Sequence, residues 1–383
     1  MTGLYIHIPF CQKKCIYCHF ASGIPYDEER ASHYIDLLLQ EAYLYKQTYG
    51  HLAFHTLYLG GGTPSLLSSS LFHRLIEGIS SLFTLETQER TIEVNPEHVT
   101  KGSLTLWKDL GFDRISLGFQ SIQPEILRFL SRSPFDPETT YNMIKDAGFS
   151  KLNVDFIVGI PELNTSSLLS WIEKHLPSHL SLYLLSCEEG STLAGLAKRK
   201  AFHIPDPDFQ AQQYLDIAGQ LSQFYEWYEI SNFALGTKNR AIHNTLYWKY
   251  EPYIGLGIGA SGFLSWKNFR YNNTVDLCFY ENALKEKKFP YGYTENIDPK
   301  TTMIEKLMLA LRTSDGIDMN IIREWINKKN ESQFMSTLQL LSSYCYIDQD
   351  KLILTPEGRL VANSVITEIW NTIEQILSKK NIL

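Results

Sequence analysis

The stretch YIHIPFCQKKCIYCHF, residues 5–20, runs a short β-rich apolar segment straight into three cysteines, Cys11, Cys15 and Cys18, in the spacing C-x3-C-x2-C. Thiolates are soft ligands suited to zinc or to iron–sulfur clusters. A structural zinc site is closed by four protein ligands, and a [4Fe–4S] cluster is usually held by four thiolates. Only three are clustered here, so a cluster on them would leave one iron open to an exchangeable ligand. The alternatives are a zinc site that borrows His7 or His19, and unligated cysteines in a loop. The other cysteines, Cys187, Cys278 and Cys345, have no ligand spacing and are expected as buried apolar residues.

Outward from this stretch, apolar β-rich runs alternate with helical patterns up to about residue 265. The runs are 4–8, 54–59, 90–94, 114–119, 151–159 and 179–185, with helical patterns such as 32–49, 70–83 and 139–148 between them. Strands alternating with helices imply parallel, right-handed β/α units. About six fit, too few for a closed eight-fold barrel. The segment 266–300, with its Pro, Gly and charge, is expected as a connector. Residues 301–383 are expected as a smaller helical unit with a short hairpin near 346–355, similar to a winged helix. The expected fold is therefore α/β: a partial (β/α)6 barrel over 1–265 and a mainly helical C-terminal domain.

Composition narrows the function. The chain has 383 residues, 35 Lys and Arg against 42 Asp and Glu, and a net charge of −7, so it lacks the basic footprint of a general nucleic-acid binder. Over 300–383 the two signs balance, 10 against 10, which disfavours a DNA-reading wing. No apolar run reaches the length of a membrane span and the start is not a leader, so a cytoplasmic protein without a transmembrane segment is expected. Reduced thiols in that compartment favour metal over disulfides.

Beyond the cysteines, GGGTPS (60–65) closes the second run. Successive glycines let a ligand approach the backbone, although a tight βα turn uses the same residues. No Gly-Lys-Ser/Thr follows, so it is not a P-loop. Glu93, Gln120 and Asp155 recur where strands should end, and the carboxyl ends of barrel strands carry sites.

The C-x3-C-x2-C pattern after the first strand resembles the radical S-adenosylmethionine (SAM) superfamily. That resemblance implies that SAM fills the open iron position through its amino and carboxylate groups, and that an electron from the [4Fe–4S] cluster cleaves it to a 5′-deoxyadenosyl radical. It further implies SAM contacts at Tyr5, Tyr17, Gly61, Gly62, Thr63, Glu93, Gln120, Arg132 and Asp155. The motifs YIHIPFC, GGGTPS, IEVNPE, RISLGFQS, YEISNFA and LTPEGR resemble the branch that contains oxygen-independent coproporphyrinogen III dehydrogenases and HemW-type haem chaperones. The dehydrogenases carry a further cysteine two residues after the third; this chain has Phe20 there. The chaperone motif H-N-x-x-Y-W stands intact as HNTLYW, 243–248.

An imidazole can ligate haem iron, and Tyr247 and Trp248 offer flat apolar faces, so the resemblance implies haem contact at His243, Tyr247 and Trp248. Without the resemblance, the same residues are a loop satisfying its own backbone. The implied function is a haem chaperone that binds haem and transfers it to acceptor proteins; its rival is oxidative decarboxylation of coproporphyrinogen III. Haem-accepting proteins and an electron donor are the implied partners, with room for a homodimer.

Overall fold

Along each expected strand, apolar residues alternate with Tyr, His, Thr, Ser or Asn, so one face can pack on helices while the other stays polar. The computed structural model describes residues 1–378 and shows that division. Six parallel strands stand in chain order: β1 (Gly3–Ile8), β2 (Ala53–Gly61), β3 (Thr84–Val94), β4 (Arg114–Gln120), β5 (Lys151–Val158) and β6 (His179–Leu184). Their outer residues, including Leu4, Ile6, Leu57, Leu59, Ile115 and Val154, are completely enclosed. Helices α1 (Glu28–Tyr49), α2 (Ser69–Leu82), α3 (Lys101–Asp109), α4 (Pro124–Phe129), α5 (Pro137–Asp146) and α6 (Thr165–His175) lie between the strands in sequence. Asp27, Ser68, Thr100, Asp136 and Asn164 cap α1, α2, α3, α5 and α6 by accepting backbone N–H bonds, each stabilising its helix by about 1 kcal/mol.

The sheet extends beyond these six. After α7 (Thr192–Lys198) and α8 (Pro207–Leu221), the short strands β7 (Glu226–Trp227) and β8 (Asn232–Ala234) add antiparallel beside β6. After α9 (Ile242–Trp248), strand β9 (Tyr253–Leu256) returns to pair parallel with β1, and β10 (Ser261–Leu264), β11 (Phe269–Asn273) and β12 (Tyr291–Asn296) continue outward antiparallel. Both ends of the twelve-stranded sheet are free edges, so the barrel is partial. Residues 266–300 differ from the connector expected of them: they supply β11, β12 and, between these, α10 (Leu277–Lys285). A periodicity reading misses these strands because β11 is Phe-Arg-Tyr-Asn-Asn and β12 is mostly exposed. A Cβ at Gly262 would lie 2.1 Å from the Tyr271 ring, whose hydroxyl bonds both Gly255 N–H and its carbonyl at 3.0 Å.

A second apolar core forms among α11 (Pro299–Leu311), β13 (Ile317–Asp318), α12 (Met319–Ile326), α13 (Glu331–Leu340), the hairpin β14 (Cys345–Asp348) and β15 (Lys351–Leu354), and α15 (Ala362–Ser378), with the short α14 (Pro356–Leu360) leading into the last helix. This is the helical, winged-helix-like unit expected from the sequence; residues 379–383 lie outside the described residues. Arg359 fastens it to the barrel, donating to the Trp227 carbonyl and lying 4.8 Å over the Trp227 ring. No helix among the described residues is long and apolar enough to cross a membrane.

Candidate functional site

Because the strands are parallel, their carboxyl ends all open on one side, and a cavity of about 500 Å³ lies there. The loop after β1 brings Cys11, Cys15 and Cys18 to it. Its base is closed by pairing of Phe10–Cys11 with Ile24–Pro25, and its middle is held where Ile16 N–H donates to Leu130 O and Leu193 N–H donates to Ile16 O. The Thr63 hydroxyl lies 3.7 Å from Cys11 Sγ, Arg132 Nη1 3.7 Å from Cys15 Sγ, and Ser22 Oγ 3.5 Å from Cys18 Sγ. Burial pushes the Cys11 thiol above its ordinary value, with the neighbouring Cys18 adding to the rise.

Among the described residues no three His, Cys, Asp or Glu side chains converge as ligands of one metal ion. His7 is committed elsewhere, with Nδ1 2.9 Å from the Tyr5 hydroxyl and Nε2 2.8 Å from Ala21 O. The three thiols border one cavity from the same loop.

The opposite wall comes from β2 to β6. Gly61, Gly62 and Thr63 line the cavity, and the structure gives the glycines an internal reason. Gly61 has φ +116°, and a Cβ there would lie 2.6 Å from the His7 ring; at Gly62 it would lie 2.6 Å from Phe10 O and 3.0 Å from Cys11 Sγ. A side chain at Gly62 would displace the cysteine loop, and one at Gly61 the His7 ring.

Glu93 joins this loop to the floor, accepting from Tyr58 Oη at 2.8 Å and Gly61 N–H at 3.0 Å. Burial pushes its carboxyl up to about 7, although part of its surface still borders the cavity. Asp155 accepts from Ser116 Oγ at 3.1 Å and Asn153 Nδ2 at 2.8 Å, and burial raises it too. Arg132 donates through Nη2 to Asn95 Oδ1 and Gly118 O. Gln120 holds φ 63°, a left-handed conformation that side chains other than glycine seldom adopt and that is concentrated at functional sites.

Eleven of the twelve residues expected around cluster and SAM therefore meet on this cavity, with Tyr17 and Arg132 side by side; Tyr5 does not line it. Tyr5 has its hydroxyl on His7. Sequence reasoning missed Tyr58, Asn95, Ser116 and Asn153. Asn153 was accessible in principle, because it stands two residues before Asp155 on the same strand face and in register with Ser116, itself in register with Glu93.

HNTLYW forms α9 and is not brought to the cavity. Its neighbour is Gly3, at the start of β1, whereas the cysteine loop follows the end of that strand, about 16 Å away at strand rise. His243 is 1% exposed, with Nδ1 2.7 Å from Thr56 Oγ1 and Nε2 2.7 Å from Tyr247 Oη. Burial lowers its pKa to about 3, so the ring is neutral. Its backbone N–H donates to Glu89, which also binds Arg114 Nε at 2.7 Å. The Tyr247 ring packs on Tyr253, and Trp248 is half-buried.

Comparison with known proteins follows the same lines. A family model described as the radical SAM superfamily matches residues 5–174. The chain is 30% identical to the haem chaperone HemW of Lactococcus lactis over 387 aligned positions, covering 95% of this chain and 96% of that protein. It is 28% identical to HemW of Bacillus subtilis, covering 95% and 98%. A solved structure titled as coproporphyrinogen III oxidase (HemN) from Escherichia coli, a radical SAM enzyme, superposes with a TM-score of 0.81 at 22% identity, covering 96% of this chain and 89% of that one. That likeness shows a shared fold.

Proposed function

The chain belongs to the radical SAM superfamily and, within it, to the HemW family, and from that premise we propose that it is a haem chaperone that binds haem and passes it to acceptor proteins. Cys11, Cys15 and Cys18 would hold a [4Fe–4S] cluster. Gly61, Gly62, Thr63, Glu93, Gln120, Arg132, Asp155 and Tyr17 would surround SAM. The observation that carries this part is the set of three thiols that one loop brings to the cavity. When bound, the pair supplies one-electron reductive chemistry. The chain's own contribution is to hold it: Arg132 sets a cation beside Cys15 Sγ, and Glu93 fixes the Gly61 backbone.

Phe20 supports the chaperone over the dehydrogenase, since it replaces the further cysteine of the latter and stands 59% exposed. The test uses anaerobically reconstituted protein. Haem should bind near one per chain, giving a Soret band that moves to an added apo-haemoprotein. Coproporphyrinogen III, with SAM and reductant, should remain unconverted. Turnover to protoporphyrinogen without haem binding would replace this reading with the dehydrogenase.

A further inference from the structure

The haem-chaperone reading leaves open where haem sits, because both ring nitrogens of His243 are used inside the fold, at the end of the barrel away from the cavity. The cavity mouth offers a different imidazole. His19 lines the cavity, is exposed, and among the described residues is met by the Phe20 ring at 4.9 Å. Phe20, Tyr183 and Leu184 also line the cavity and are 59%, 45% and 36% exposed, giving it an apolar rim. On the same loop, Lys13 and Lys14 line the mouth on the solvent side of the half-buried thiols. The cavity's carboxylates, Glu93 and Asp155, lie on the floor and already accept hydrogen bonds.

Resting on that reading, we propose that haem docks across this mouth, with His19 as its iron ligand, Phe20 and Tyr183 against the porphyrin face, and Lys13 and Lys14 receiving the two propionates. Each part has its own chemistry. An imidazole ligates haem iron, aromatic faces bury porphyrin area, and paired lysines complement two carboxylates on an otherwise acidic protein.

The test titrates ferric haem, haem dimethyl ester and iron-free protoporphyrin IX into cluster-loaded protein and three variants, with iron and sulfide content measured to show that the cluster is retained. His19→Ala should shift the haem Soret band and weaken haem binding roughly tenfold, while protoporphyrin IX affinity changes less than about twofold. Lys13→Gln with Lys14→Gln should weaken haem and protoporphyrin IX by about threefold to tenfold and leave the ester unaffected. His243→Gln should keep the wild-type Soret band. A His19→Ala spectrum and affinity equal to wild type, in a protein that binds haem, would overturn the docking site and leave the chaperone standing. Absence of haem binding in the wild type would remove the chaperone reading itself.

Discussion

At the amino-terminal end of the parallel strands, Thr56, Glu89, Arg114 and His243 are closed over by α9, each with polar partners inside the fold. At the carboxyl-terminal end, the same strands stop at half-buried Glu93, Gln120 and Asp155 around a cavity. One sheet thus ends in a paired, sealed layer on one side and in a polar hollow on the other. The difference is in the partners. Below, Glu89 meets a guanidinium and a helix N–H; above, the carboxyls meet neutral hydroxyls, an amide and a backbone N–H, so burial raises them and leaves capacity for a ligand.

Four substitutions would break or sharpen this contrast. The largest effect belongs to the upper end: replacing Cys11, Cys15 and Cys18 together with Ala should take reconstituted iron from about four per chain to near zero while far-ultraviolet dichroism stays unchanged. Iron equal to wild type would refute the cluster. At the lower end, Glu89→Ala leaves Arg114 buried without its carboxylate and His243 N–H without an acceptor. It should cost about 3–5 kcal/mol in chemical denaturation. A loss under about 1 kcal/mol would show that the seal does not depend on that pair.

His243→Gln comes next, at about 1–2 kcal/mol for an impaired hydrogen-bonded pair. It also tests a pH dependence. A ring at about 3 when folded and 6.5 when unfolded contributes stability that is complete above pH 6.5 and is lost as pH falls toward 3. The variant should lose less stability than wild type over that interval. Glu93→Gln is the smallest and has the opposite sign. A carboxyl at about 7 when folded and 4.5 when unfolded favours the fold most below pH 4.5 and loses that contribution as pH rises through 7. The unfolding free energy of the variant should therefore fall less than that of wild type between pH 4.5 and 7, by roughly 1 kcal/mol because the carboxyl borders the cavity. Parallel slopes would place the carboxyl at an ordinary value.

Much of the upper end was legible in the sequence, because cysteine spacing, GGGTPS and strand-end polar residues are local signals. All six expected strands appear, with β3 reaching back to Thr84. What stayed hidden depends on distance along the chain. Thr56 and His243 are 187 positions apart, and no local pattern shows that α9 closes the start of β1 and β2. Residues 266–300 failed for a different reason: β11 reads Phe-Arg-Tyr-Asn-Asn and β12 Tyr-Gly-Tyr-Thr-Glu-Asn, the latter largely exposed, so neither shows the apolar alternation by which strands are recognised. The glycine loop was placed correctly but for an incomplete reason, since a Cβ at Gly61 meets His7 inside the fold before any ligand.

Because α9 packs over the start of β1 and β2, that end of the barrel is filled by side chains while the cavity lies at the strands' carboxyl ends. On the proposed docking, a haem across Phe20 would sit outside a ligand held on the floor beside Glu93, so the inner guest would be loaded first and released last.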